Sequence, residues 1–258
     1  LVSDGSGGDG RGEIASSLAV HLFQQELFKT DSNKGAGDCL IEAAFATHQA
    51  IIAQANRDSQ TAGMAATLTA ALVIPPQVYV LEIGDSRCYL IRNQDIRQIT
   101  KDQSMVQVLV DSGMLDAKLA NTHPYRNVVL QSLGSNNQLS PVVTSTQLSK
   151  GDHLLLCSDG LSKFLPDQEI VQTLYSSPDL KSACKKLIER AKEFKSDDNI
   201  TVVLAEVKGE AFSDPEPICL LSQLLTSSES DNDILDVTDI LAPDEEKFAT
   251  DEIEIEEG

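Results

Sequence analysis

The sequence lacks the features that mark membrane proteins and disulfide-rich secreted proteins. No run approaches the roughly 20 apolar residues that a helix needs to cross a bilayer, and no charged segment followed by an apolar one opens the chain. Its five cysteines are scattered, odd in number and without a Cys-x-x-Cys pair, which favours reduced thiols. We therefore expect a cytoplasmic protein with no membrane span.

Positive charge is also scarce in this sequence. The 20 Lys and Arg residues against 40 Asp and Glu residues give a formal net charge of -20 at pH 7. A protein of this sign repels a phosphate backbone, so we expect no nucleic-acid partner. Sixteen of the acidic residues and one lysine lie from Glu210 onward. This shift in composition predicts two parts, a folded domain at residues 1–208 and an acidic, disordered tail at residues 209–258.

Hydrophobic periodicity in the first part switches between helical and strand spacing. Apolar residues at helical spacing predict helices at residues 12–29, 37–56, 103–111, 169–175 and 180–194. Short β-prone runs between turn residues predict strands at 66–72, 78–83, 87–92, 95–100, 142–147, 153–157 and 200–207. The spacing of the first four strands suggests one antiparallel meander, and the polar stretch 112–126 suggests a mobile flap.

Three predicted strand ends carry an aspartate in the same local design. Asp4 follows Leu-Val-Ser, Asp159 follows Leu-Leu-Leu-Cys-Ser, and Asp198 precedes Asn-Ile-Thr-Val-Val. A carboxylate at a strand end is rigidly aimed, and hard cations such as Mg2+ or Mn2+ prefer oxygen ligands. Three clustered carboxylates repel one another, so a shared divalent cation is the hypothesis that explains them together. Asp85, in a Gly-Asp-Ser-Arg turn, is interpreted as a hairpin residue rather than a ligand.

Seven motifs follow one another in a fixed order along the chain. They are Ser-Asp-Gly-Ser-Gly-Gly from residue 3, Met-Ala-Ala-Thr-Leu from 64, Gly-Asp-Ser-Arg from 84, Thr-Lys-Asp-Gln from 100, His-Pro-Tyr-Arg-Asn from 123, Leu-Cys-Ser-Asp-Gly-Leu from 156 and Asp-Asn-Ile-Thr from 198. This order resembles that of the metal-dependent protein phosphatases of the 2C type, in particular their compact bacterial branch. The resemblance covers residues 1 to about 207.

The resemblance implies a fold, a cofactor and an activity. The implied fold is α+β, a four-layer α-β-β-α sandwich of two mainly antiparallel sheets flanked by helices, incomplete at its N-terminus. The implied cofactor is a pair of divalent cations, Mn2+ or Mg2+. By position, Asp4 would bridge both ions, the Gly5 carbonyl would complete one of them, and Asp159 and Asp198 would ligate the other. The implied activity is hydrolysis of phosphoserine and phosphothreonine in proteins, opposing a serine/threonine kinase, with these aspartates acting through a cation-activated water.

Several positions depart from the family pattern. The opening strands of the family supply a phosphate-binding arginine, and Arg11 is the candidate substrate-binding replacement. Asp9 stands where the family often has a histidine, the Ala-Ala-Thr at 65–67 replaces Gly-Thr-Thr, and Gln103 replaces a histidine. These departures leave two alternatives open. One is a pseudophosphatase that keeps the fold and the metal but serves as a regulatory binding module, and the other is an acidic cation-binding scaffold.

Overall fold

The structure is a computed structural model, and it describes residues 1–8, 10–31, 33–57, 61–135 and 138–215. The α-helices are α1 (Arg11–Lys29), α2 (Ala36–Arg57), α3 (Met105–Asp111), α4 (Asp159–Ser162), α5 (Asp167–Tyr175) and α6 (Leu180–Glu193), and a 3₁₀ helix spans Ala117–Thr122. The strands are β1 (Gly5–Ser6), β2 (Ala65–Ala66), β3 (Leu68–Ile74), β4 (Gln77–Ile83), β5 (Arg87–Arg92), β6 (Asp95–Gln98), β7 (Val142–Gln147), β8 (His153–Cys157) and β9 (Val202–Glu206). Within these ranges, no helix combines the length and the apolar character that crossing a bilayer requires.

The longer strands form two antiparallel sheets that pack against each other. One sheet has the order β3-β4-β7 and the other the order β6-β5-β8-β9, while β1 and β2 form a two-residue ribbon. Helices α1 and α2 cover the first sheet, and α4, α5 and α6 cover the second. The predicted α+β fold, a four-layer α-β-β-α sandwich, is therefore confirmed.

Strand β5 shows how both faces of a sheet are buried. Cys88 and Leu90 point into the core between the two sheets, whereas Tyr89 and Ile91 point into the core beneath the helices. All four side chains are at most 1% exposed. Successive side chains of a strand alternate between its faces, so a strand between two apolar layers is a continuous apolar run rather than an alternating one.

The predicted helices and strands agree with the observed ones to within two residues at each end, but the single meander is wrong. Strands β4 and β5 lie in different sheets, and the chain crosses between the sheets at residues 84–86. Gly84 makes this crossing with φ 104°, and a Cβ on it would approach Thr67 Cγ2 to 2.6 Å. Only glycine tolerates both the dihedral angle and the close contact. The short helix α4 is an element that the periodicity did not predict.

The chain remains attached to the domain for several residues after the predicted boundary at residue 208. The Lys150 amide donates a hydrogen bond to the Ser213 carbonyl, and Phe212 packs against the core between the sheets. The rest of the predicted acidic tail, residues 216–258, lies outside the described residues. The division into residues 1–208 and 209–258 therefore stays a prediction.

A buried ion pair ties β5 to the turn before β8. Arg92 donates to both carboxylate oxygens of Asp152 at 2.7 Å, and it also donates to the Gln147 carbonyl. The Ser149 amide donates to Asp152 Oδ2 as well. The side chains of Arg92 and Asp152 are 6% and 0% exposed, so neither charge can be compensated by water.

We predict that Asp152→Asn destabilises the protein strongly. The substitution leaves the Arg92 charge buried without its counterion, which typically costs about 3 kcal/mol or more. The matched control is Asp95→Asn, which breaks an exposed pair with Arg97 whose side chains are 56% and 53% exposed, and should cost less than about 1 kcal/mol. Urea unfolding of both variants measures the difference, and equal losses would contradict the prediction.

Candidate metal centre

Four aspartates meet at one end of the two sheets. Asp4 lies just before β1, Asp85 lies in the crossing between β4 and β5, Asp159 begins α4 directly after β8, and Asp198 lies shortly before β9. The charges of the other three all act on Asp4, with that of Asp159 the largest of the three. The structure thus brings together the three predicted ligands and adds Asp85 to them.

Thr67 fixes the backbone on which Asp4 sits. Its amide donates to the Asp4 carbonyl at 2.8 Å, and the Asp4 amide donates to its hydroxyl at 2.9 Å. The Ser3 hydroxyl donates to the Thr67 carbonyl at 2.6 Å. The Thr67 hydroxyl also lies 2.8 Å from the Ser86 hydroxyl in the crossing between the sheets. One side chain therefore links the Asp4 loop to the Asp85 turn.

Asp159 and Asp198 are held together by the backbone around them. The Ser158 hydroxyl donates to the Asn199 carbonyl at 3.1 Å and accepts from the Thr201 amide at 3.0 Å. A Cβ on Gly160 would lie 2.2 Å from the Asn199 carbonyl oxygen, so only glycine permits this approach. The Ser-Asp-Gly sequence is therefore explained by the packing of one strand end against the next.

Two motifs combine to position Asp85. Arg87 donates to both oxygens of the Asp102 carboxylate, at 2.8 and 2.7 Å. The side-chain oxygen of Gln103 accepts a hydrogen bond from the Gly84 backbone amide at 2.8 Å. The backbone amide of Gln103 donates to the Gly84 carbonyl at 2.9 Å. The Gly-Asp-Ser-Arg turn is thereby fastened to the Thr-Lys-Asp-Gln segment. Gln103, a departure from the family pattern, has a clear structural role here.

Burial and neighbouring carboxylates raise the pKa values of Asp4, Asp85 and Asp198. Burial is the largest cause that raises the pKa of Asp4 well above its ordinary value, and the charges of Asp159 and Asp198 raise it further. Burial and then Asp159 raise the pKa of Asp85. Asp198 is exposed, yet partial desolvation of its carboxyl group and the charge of Asp159 raise its pKa too. A raised pKa means that the ionised form of a carboxyl group is destabilised at its position. A positive charge placed nearby would stabilise that ionised form.

A lysine ammonium lies inside the cluster. Lys163 Nζ is 2.5 Å from Asp159 Oδ2, to which it donates a hydrogen bond, and 3.1 Å from Asp85 Oδ2. Its side chain is 11% exposed. Burial acts to lower the pKa of Lys163, but the charges of Asp159 and Asp85 outweigh burial, and the net shift is upward.

Two carboxylate oxygens of the cluster are buried without a hydrogen bond to any described residue and could bind a cation. Within the part of the chain that the structure describes, Asp159 Oδ1 and Asp85 Oδ2 are buried without a hydrogen-bond partner, since the Lys163 contact to Asp85 is an ion pair without hydrogen-bond alignment. Buried carboxylate oxygens of this kind are costly unless a cation or a donor meets them. As the side chains stand, no three His, Cys, Asp or Glu residues among those described are already set in coordinating geometry. The donor chemistry fits Mg2+ or Mn2+, and binding would need the side chains to move into coordinating positions.

The remaining predicted site residues have separate positions. Gly5 lies in β1 against the start of α1, where a Cβ would come within 1.8 Å of the Gly12 carbonyl oxygen. Arg11 donates to the Gly8 carbonyl at 3.2 Å and to the Ala62 carbonyl at 2.9 Å, which fastens the loop after Asp4. Its contact with a substrate phosphate stays a prediction. Asp9 lies outside the described residues.

The interpretation of Asp85 was incomplete, and Lys163 was missed. Asp85 does occupy a turn, but that turn carries its carboxylate, 3% exposed, into the cluster. Lys163 carries a signal in the sequence, because a lysine four residues after an aspartate that begins a helix lies on the same helical face. The sequence could not show that Asp85 lies on the other side of that ammonium, since the two are 78 residues apart.

Comparison with known proteins matches this chain to one protein family. A family model described as protein phosphatase 2C matches residues 1–205. The serine/threonine protein phosphatase PstP of Mycobacterium tuberculosis is 36% identical over 220 residues, which are 84% of this chain and 42% of PstP. The serine/threonine phosphatase Stp of Listeria monocytogenes is 33% identical over 209 residues, which are 80% of this chain and 83% of Stp. The chain thus spans less than half of PstP but most of Stp.

Solved structures give the same result. The crystal structure of the Mycobacterium tuberculosis phosphatase PstP aligns with a TM-score of 0.74 and 36% identity, covering 80% of this chain and 87% of that chain. A crystal structure of the catalytic domain of PstP in complex with two manganese ions aligns with a TM-score of 0.70 and 34% identity, covering 79% of this chain and 85% of that chain.

We predict that Gly160→Ala destabilises the protein, although alanine normally favours a helix over glycine. Residue 160 lies in α4, where the exchange alone would stabilise by up to about 1 kcal/mol. The added Cβ instead forces the Asn199 backbone away, so we expect a loss on the order of 2 kcal/mol or more. The control is Gly151→Ala, where the Cβ meets no described atom within 4 Å and only the positive φ is strained. Urea unfolding gives both values, and a stabilised Gly160→Ala protein would refute the close contact.

Proposed function

This chain belongs to the protein phosphatase 2C family, as its motifs predict, and we propose that it hydrolyses phosphoserine and phosphothreonine in proteins with two divalent cations, Mn2+ or Mg2+. The observation that carries the proposal is the convergence of Asp4, Asp159 and Asp198, with a buried, unpaired oxygen on Asp159. Relatives named serine/threonine phosphatases support the same activity. The solved complex of PstP with two manganese ions supports the choice of cofactor.

Each ligand has a distinct role in this proposal. By the family pattern, Asp4 would serve both cations, the Gly5 carbonyl would add a ligand to one of them, and Asp159 and Asp198 would hold the other. When bound, cations of this kind activate water as a nucleophile and neutralise charge on the phosphoryl group. The protein's own contribution is to hold these oxygens in place through Thr67 on one sheet and Ser158 on the other. Rigid placement matters because a misplacement of about 1 Å can cost a hundredfold in rate.

The same family membership supports a proposal for the substrate and the setting. We propose a phosphorylated protein as substrate, a serine/threonine kinase as the opposing enzyme, and the cytoplasm as the compartment. The acidic composition, with net charge -20, supports the absence of a nucleic-acid partner.

The enzyme is favoured over a regulatory module without activity. Gln103, one of the departures behind that alternative, fastens the Gly84 turn and so keeps the cluster in position. The presence of all three expected aspartate ligands in the cluster supports turnover, and so do relatives named as phosphatases.

We predict that Asp159→Asn lowers metal-dependent hydrolysis by at least about a hundredfold, because it removes one negative ligand and its electrostatic stabilisation. The measurement is phosphate release from a phosphothreonine peptide with added Mn2+ and, separately, with a chelator. Asp95→Asn is the matched control, since it makes the same chemical change in an exposed ion pair of β6.

The control variant should retain the activity of the unaltered protein, and the chelator should abolish activity in both. Hydrolysis that persists in chelator, or an Asp159→Asn protein as active as Asp95→Asn, would rule out the proposed mechanism.

A further inference from the structure

Lys163 is the unusual member of the aspartate cluster. Its Nζ lies between the carboxylates of Asp159 and Asp85, at 2.5 and 3.1 Å. Its charge also acts on Asp198. The same ammonium therefore offsets negative charge from three strand ends, which is the task that the proposed function assigns to divalent cations.

The backbone of Lys163 is fixed at this point. Its amide donates to the Asp159 carbonyl at 2.9 Å, and its carbonyl accepts from Asn121 Nδ2 at 3.0 Å. Asn121 belongs to the 3₁₀ helix of the predicted flap, so the lysine is held from both sides. With its backbone fixed and its side chain mostly buried, the ammonium has little freedom to leave the two carboxylates.

We propose that Lys163 is a built-in cation of this site, occupying the side of the cluster between Asp85 and Asp159 and limiting the bound divalent cations to the two held by Asp4, Asp159 and Asp198. The assignment of those two cations rests on the proposed function. The role of Lys163 as the positive charge between Asp85 and Asp159 is independent of the proposed function.

Electrostatics explains why one ammonium can have this effect. A divalent cation between Asp85 and Asp159 would have to share the space with an ammonium that lies 3.1 and 2.5 Å from their carboxylates, and like charges at such short range repel strongly in a buried site. Removing the lysine leaves two buried carboxylates facing each other. Asp159 Oδ1 already lacks a hydrogen-bond partner within the described chain, and Asp85 Oδ2 would lose the Lys163 ammonium beside it, so a cation is the group best suited to relieve both oxygens.

The first test counts bound Mn2+ by equilibrium dialysis or calorimetry. We expect two ions on the unaltered protein and on Lys163→Arg, which keeps the charge, and three on Lys163→Gln, which removes it. The double variant Asp85→Asn with Lys163→Gln loses the second carboxylate as well and should return to two. The additional ion in Lys163→Gln should bind at least about tenfold more tightly than any third ion in the double variant.

The second test measures stability without added cations and needs no activity. In chelator, Lys163→Gln should melt about 5 °C or more below Lys163→Arg, and Mn2+ should close this gap. Should Lys163→Gln fail to fold in chelator and fold in Mn2+, that result also supports the inference.

The outcomes separate this inference from the proposed function. If the unaltered protein binds two ions and Lys163→Gln also binds two with unchanged affinities, the inference on Lys163 is wrong and the proposed function stands. If the unaltered protein binds no Mn2+, the proposed function fails. In that case a melting gap between Lys163→Gln and Lys163→Arg in chelator would still support Lys163 as the cation of the cluster, and equal melting temperatures would overturn it.

Discussion

Repulsion among carboxylates is the constraint on which this site depends. Burial and the charge of Asp159 raise the pKa values of Asp4, Asp85 and Asp198, and the Asp85 and Asp159 residues are only 3% and 9% exposed. A fold that gathers such groups must hold them against their own electrostatics. The backbone hydrogen bonds around Thr67 and Ser158, and the glycine contacts at residues 84 and 160, are the means by which this chain does so.

The two-sheet architecture places these groups without using long loops. Asp159 and Asp198 stand at the ends of neighbouring strands of one sheet, whereas Asp4 is fixed next to β3 of the other. The crossing at residues 84–86 carries Asp85 between the sheets. Strand ends are rigid because each is fixed by the hydrogen bonds of its sheet, so the scaffold needs only short turns to aim the carboxylates.

Much of the fold and part of the site could be predicted from the sequence. Strands β5, β7 and β8 have the predicted bounds because their β-prone residues end at clear turn residues. The motif order led to Asp4, Asp159 and Asp198, since each follows or precedes a strand in a recognisable pattern. The partition of β4 and β5 between two sheets could not be predicted, because a Gly-Asp-Ser turn is compatible with a hairpin as well as with a crossing. The pairing of Lys163 with Asp85 depends on that partition, so it could not be predicted from the sequence either.

The position of the aspartate cluster across both sheets has a mechanical meaning. Asp4 moves with β3, and Asp159 and Asp198 move with β8 and β9, so any sliding of one sheet over the other changes the distances between the carboxylates. Positive charges that hold these carboxylates together therefore restrain the two sheets against sliding at this end of the sandwich. At the opposite end, Arg92 of β5 donates to the Gln147 carbonyl of β7, so a polar contact joins the two sheets there as well.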